Sequence, residues 1–105
     1  MTTTAERLIG INEQIEAAAA TVEADPGASP VLGAVVRELV HKAQKAVDNL
    51  PGADTLVLRL SIVEVEQAAD SAKVAVEVDL GASDSTRQAV VNAHLAICKL
   101  KAKMT

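Results

Sequence analysis

Residues 55–80 read TLVLRLSIVEVEQAADSAKVAVEVDL, and the fold turns on whether this stretch coils or extends. As two strands, Leu56, Leu58, Leu60 and Ile62 alternate with Val57, Arg59 and Ser61. Val74, Val76, Val78 and Leu80 would then alternate with Ala75, Glu77 and Asp79 in a β-hairpin. As one helix, Leu58, Ile62, Val65, Ala69, Ala72 and Val76 make an unbroken seam at three-and-four spacing. The helix is favoured on three grounds. The connection QAADSA has no Gly, Asn or Pro to turn a hairpin. The strand alternation slips at Ile62-Val63, where the helical period does not. A lone hairpin is also marginal without further strands. Valine lowers helix propensity by only tenths of a kcal/mol per residue, order-of-magnitude.

The helical reading leaves a surplus. Leu56, Leu60, Val63, Val74 and Val78 form a second apolar stripe, opposite the first. A helix apolar on two sides is covered on two sides. The expected cover is another protein chain or a second copy of this one.

Working outward, the remaining segments are helical too. DPGASP (25–30), NLPGAD (49–54) and LGASDS (80–85) break the chain with the residues of turns and caps. Before the first break, Thr3 and Glu6 have capping-box spacing. Leu8, Ile11, Ile15, Ala18 and Val22 follow on one stripe, with Asn12, Glu13, Glu16 and Glu23 assigned to the other side. After it, Ser29-Pro30 suits an N-cap and first helical position. Leu32, Val36, Leu39, Ala43, Ala46 and Leu50 then recur at three-and-four spacing. In the last segment, Val90, Ala93, Ile97, Leu100 and Met104 form a seam that starts from a cap at Asp84 or Ser85. Val91, Leu95, Cys98 and Ala102 run beside it as another apolar strip. The sequence reads without an internal repeat.

The reading is therefore all-α: an antiparallel four-helix bundle with helices near 4–24, 30–49, 55–80 and 86–104, within a single domain 1–105. The alternative is α+β, with a β-hairpin at about 55–80. Four helices predict roughly 80% helix, counting those spans.

Composition narrows the function. The 105 residues are 50% hydrophobic, yet hold no Phe, Tyr or Trp. The core must come from Val, Leu, Ile and Ala, which bury less area each than an aromatic ring. A core that thin favours oligomerisation, and a homodimer is expected. A net charge of −4 and the lack of base-stacking rings argue against nucleic acid. No run is apolar enough to span a membrane. No secretory pattern opens the chain, and Cys98 is the one cysteine, so a reducing, cytoplasmic setting is expected.

Candidate chemistry centres on two histidines. His41 is rotated by about 200° from Leu39 and points away from the seam. An outward histidine midway along a bundle helix, with Lys42 and Lys45 nearby, resembles the histidine-containing phosphotransfer domains. The resemblance covers this helix alone. It implies that His41 accepts a phosphoryl group as a nucleophile. The sequence departs from the family's motif: after His41 it reads Lys42, Ala43, Gln44, Lys45, with the lysine displaced by one place and no glycine after it. Glu38-x-x-His41 is half of a di-iron carboxylate pattern, but His94 has Val91 where the second glutamate belongs. DLGASDS (79–85) resembles the phosphopantetheine loop of acyl carrier proteins. It departs from that loop in the two residues between Gly81 and Asp84, and helix capping accounts for Asp84 and Ser85. Glu64, Glu66, Asp70, Glu77 and Asp79 read as a solvated, salt-bridged face. His94 is a boundary residue with no partner visible in the sequence.

The expectation is a non-enzymatic interaction module: an adaptor, small chaperone or structural subunit. Its partner-binding residues are Leu56, Leu60, Val63, Val74, Val78, Val91 and Leu95. No cofactor or metal is expected. The alternative is a phosphotransfer domain using His41.

Overall fold

Residues 55–78 form one continuous helix. The computed structural model describes residues 2–104. The chain folds as α1 (Thr4–Ala24), α2 (Pro30–Asp48), α3 (Thr55–Val78) and α4 (Asp84–Lys103), and no strand occurs among the described residues. Helix makes up 82% of the described residues. QAADSA lies in mid-α3, so the hairpin alternative is excluded.

Each helix packs on two neighbours, α1 on α2 and α4, α3 on α2 and α4, while the Cα atoms of diagonal helices stay more than 8 Å apart. This square bundle measures 41 × 20 × 20 Å. The predicted seams meet on its axis. All five expected positions of α1 are buried, as are Leu32 to Ala46 on α2, Ile62 to Val76 on α3 and Val90 to Leu100 on α4. Leu50, Leu58 and Met104, at seam ends, are half-buried against the core.

Caps set the helix starts. Thr3, Ser29, Asp54 and Ser83 each accept a backbone N–H from the first turn of the helix they precede. The cap of α4 is therefore Ser83, one residue before the expected Asp84 or Ser85. Gly52, with φ of 76°, makes the left-handed turn between α2 and α3, where a side chain would be strained.

An internal repeat governs the architecture, contrary to the expectation of none. DPGAS (25–29) recurs as DLGAS (79–83), in register with the flanking helices. Leu8, Ile11, Ile15, Ala18 and Val22 of α1 correspond to Ile62, Val65, Ala69, Ala72 and Val76 of α3. Leu32, Val36, Leu39, Ala43 and Ala46 of α2 correspond to Thr86, Val90, Ala93, Ile97 and Leu100 of α4. All twenty are buried. Outside the loops the repeat keeps burial rather than identity, and even polarity changes where Thr86 matches Leu32. Large and small residues also trade places, as at Ile15 and Ala69, Leu39 and Ala93, and Ala43 and Ile97.

The two repeated loops lock together at one end of the bundle. Asp25, ending the first hairpin's helix, caps the second hairpin. Its Oδ2 accepts the Ser83 N–H at 2.9 Å and the Thr86 hydroxyl at 2.6 Å, while Oδ1 accepts the Gly27 N–H at 2.9 Å. Asp79 reciprocates, with Oδ2 accepting the Ser29 N–H at 2.8 Å and Oδ1 the Gly81 N–H at 3.1 Å. Sequence reading placed Asp79 on a solvated face. It is buried instead, because it serves a helix start in the other half. Arg87 adds a brace, donating to the carbonyls of Val76 and Asp79 at the end of α3.

These bonds favour the charged carboxylates. The Ser83 N–H, then the Thr86 hydroxyl and the Gly27 N–H, hold the Asp25 carboxyl at about 2, against an ordinary 3.8. The Ser29 N–H holds Asp79 down in the same direction. A folded-state pKa below the unfolded value stabilises the fold above the unfolded value and stops doing so as acid protonates the group. The bundle should therefore lose stability between about pH 4 and about pH 2. Thermal melts followed by far-UV circular dichroism should show this fall, and the Asp25→Asn/Asp79→Asn variant should show a flatter profile from a lower starting point. An equally steep profile in the variant would assign the acid sensitivity to other groups.

Candidate functional site

The outer faces of the two repeated hairpins differ in chemistry. On α3, Leu56, Leu60, Val74 and Val78 are 56–72% exposed. Val63 is half-buried on the same side. On α4, Leu95 is 47% exposed and Val91 is half-buried against the core edge. The structure thus leaves the predicted α3 stripe outside the bundle, with Leu95 and Val91 on the neighbouring helix. Most corresponding positions of the first hairpin are polar or small, the exception being Ile9, which matches Val63 and is 42% exposed. Glu6 matches Leu60, Glu13 matches Gln67, Ala20 matches Val74, Arg37 matches Val91 and His41 matches Leu95.

Between α3 and α4 lies a polar cluster. Glu66 and Asp70 stand one turn apart on α3, and His94 and Cys98 one turn apart on α4. His94 Nε2 is 2.6 Å from Asp70 Oδ1, the length of a charge-assisted hydrogen bond. Cys98 Sγ lies 3.5 Å from the same nitrogen and 4.0 Å from Nδ1. Lys101 Nζ sits 2.7 Å from Glu66 Oε2. Burial, followed by the nearby charges of Glu66 and Asp70, pushes the Cys98 thiol above its ordinary range. The hydrogen bond to Glu66 pushes Lys101 up.

This arrangement is not a nucleophilic relay. Such a relay needs the thiol and the carboxylate on opposite imidazole nitrogens, and a depressed thiol pKa. Here both groups face Nε2, and the thiol is held protonated. The three side chains do offer one oxygen, one nitrogen and one sulfur atom within 4.8 Å of one another.

Sequence reading gave His94 no partner and placed Glu66 and Asp70 on a solvated face. The structure joins them. The two pairs one turn apart were legible, but their meeting depends on the register of α3 against α4.

His41 is exposed on the outer face of α2. It lines a shallow depression of about 550 Å³ with Glu16, Arg37 and Gln44. Glu38 turns to Lys42, 3.9 Å away, rather than to His41. A larger depression, about 720 Å³, lies between α1 and α4 and is edged by Arg7, Lys99 and Lys103. On the inner edge of α1, Asn12 is buried, against expectation. Its Nδ2 donates to Glu16 at 3.0 Å, and its Oδ1 has no partner. No helix among the described residues is long and apolar enough to cross a membrane. Comparison of the chain with protein-family models, curated proteins and solved structures gives no match.

Proposed function

We propose that the protein is a non-enzymatic helical interaction module that pairs with a second copy through the outer face of α3. The observation carrying this reading is the exposed stripe itself. The first hairpin builds the same framework with glutamate and alanine at the matching positions, so the bundle does not need Leu60 or Val74 there to fold.

The spacing supports a two-fold contact. Leu56, Leu60, Val63, Gln67, Ser71, Val74 and Val78 follow one another at 4-3-4-4-3-4, which is symmetric about Gln67. Antiparallel packing of two α3 helices sets Leu56 against Val78 of the other copy and Leu60 against Val74. Gln67 then faces itself on the axis, where side-chain amides pair. A closed two-fold dimer requires such a self-complementary patch. The eleven-residue period suits a slight right-handed supercoil, not a left-handed one. Charge agrees as well. Arg59 and Glu77 flank opposite ends of the stripe on one side, so the two-fold sets each Arg59 beside the other copy's Glu77.

Sedimentation equilibrium at tens of micromolar should show a dimer. Leu60→Asp or Val74→Asp should give a monomer with unchanged helix content. Desolvating an unpaired carboxylate costs several kcal/mol, and the two-fold counts it twice. The dissociation constant should rise at least about a thousandfold. A wild-type monomer at those concentrations overturns the reading. Loss of helix in either variant overturns it too, because the stripe would then be intramolecular core.

A further inference from the structure

We propose that Asp70, His94 and Cys98 form a binding site for a divalent metal ion of the zinc class, with one coordination position left to solvent. One oxygen, one nitrogen and one sulfur donor converge from two helices, all within 4.8 Å. Mixed imidazole and thiolate donors suit zinc and its neighbours, not magnesium or calcium.

The spacing fits the ion. Zinc binds histidine nitrogen at roughly 2.0–2.1 Å and cysteine sulfur at roughly 2.3 Å. Tetrahedral geometry then separates the two donors by about 3.5 Å. The His94 Nε2 to Cys98 Sγ distance is 3.5 Å. Those two residues are one turn apart on α4, so the helix itself holds the pair at this separation. Asp70 stands closer to Nε2 than a shared metal would allow, at 2.6 Å. Its side chain is 54% exposed and can swing back into the groove. The proton on His94 Nε2 is exchanged through solvent for one on Nδ1, which frees Nε2 for the metal, and the Cys98 thiol proton passes to solvent.

The surroundings agree. Asp70 and Glu66 make the groove negative, which disfavours a lone thiolate and favours a dication. Lys101 is held by Glu66 and leaves the donor set clear. The other hairpin carries Glu16, Val40 and Gln44 at the matching positions. Its framework therefore stands with neither nitrogen nor sulfur donors there, so folding alone does not call for His94 and Cys98.

Titration with cobalt(II) chloride, in the absence of other metals, tests the site. The chain has no Trp, Tyr or Phe, so the near ultraviolet is open for a thiolate-to-cobalt charge-transfer band. One equivalent per chain should saturate that band, with visible absorption of tetrahedral strength, and zinc should bleach both. Cys98→Ser should abolish the band. Loss of a residue that only supports a metal ligand weakens binding about 10–100-fold. His94→Gln, which removes a ligand, should therefore weaken binding at least about a hundredfold. Both variants should keep wild-type helix content, since both residues lie at the rim of the groove. No charge-transfer band in the wild type, or an unchanged affinity in His94→Gln, overturns the assignment. Titrating Leu60→Asp alongside separates this site from dimerisation, because its donors are intact in either oligomeric state.

Discussion

Gly27→Ala should lower the melting temperature by about 10 °C, the shift that follows from a cost of about 1–3 kcal/mol for forcing atoms into a filled space. The reason is contact between the two repeated loops. A Cβ built on Gly27 falls 2.0 Å from the Gly81 carbonyl oxygen, and one built on Gly81 falls 2.2 Å from that of Gly27. Both obstacles are backbone, so no rotamer change relieves them. The loops must part, and parting them pulls Asp25 from the Ser83 N–H and Asp79 from the Ser29 N–H. Gly81→Ala should cost a similar amount. The double variant should cost less than the sum, because one separation makes room for both methyl groups. Gly10→Ala serves as the control, since nothing lies within 4 Å of its Cβ and alanine favours the helix. If Gly27→Ala melts with the wild type, the loops do not touch.

Ile97→Ala should cost about 2–5 kcal/mol, the range for emptying a buried branched side chain. A chain of this length is expected to have about 5–15 kcal/mol of stability in all. Ile97 is fully buried in a core rich in alanine, with Ala93 one turn away on α4, and alanine has no side chain to swing into a void. The core also lacks an aromatic ring to tilt across the gap. Denaturant unfolding should show a lower midpoint at unchanged slope. A loss below about 1 kcal/mol would mean that the helices close the cavity by moving together, as small residues on their inner faces would permit.

The α3 region shows how much of this was readable. Its helical seam runs unbroken from Leu58 to Val76, whereas the strand alternation slips at Ile62-Val63, so coil against ribbon was decided locally. Caps at Thr3 and Ser29, the breakers and nearly every core position follow from the same local physics. The exposed face of α3 was visible as a surplus stripe. The α3–α4 cluster was not, because each helix shows only half of it and nothing local states which half faces which.

Asn12 and Asp79 mark the same boundary. Both are polar by type and were assigned to solvent on a helical wheel. A wheel gives direction but not depth, and it says nothing of a loop seated across from another loop. Asp79 is buried because a helix start from the other hairpin lies beside it.

The order of apolar residues, with the caps and breakers between them, determined four helices, their approximate ends and their inward seams, since all of these act over a few residues. Only the tertiary structure decided that the two hairpins are copies of one framework, that their loops interlock through Asp25, Asp79 and two glycines, and that Asp70, His94 and Cys98 share a groove. Those relations depend on distances between residues far apart in the chain, which are fixed when helices pack and not when they form.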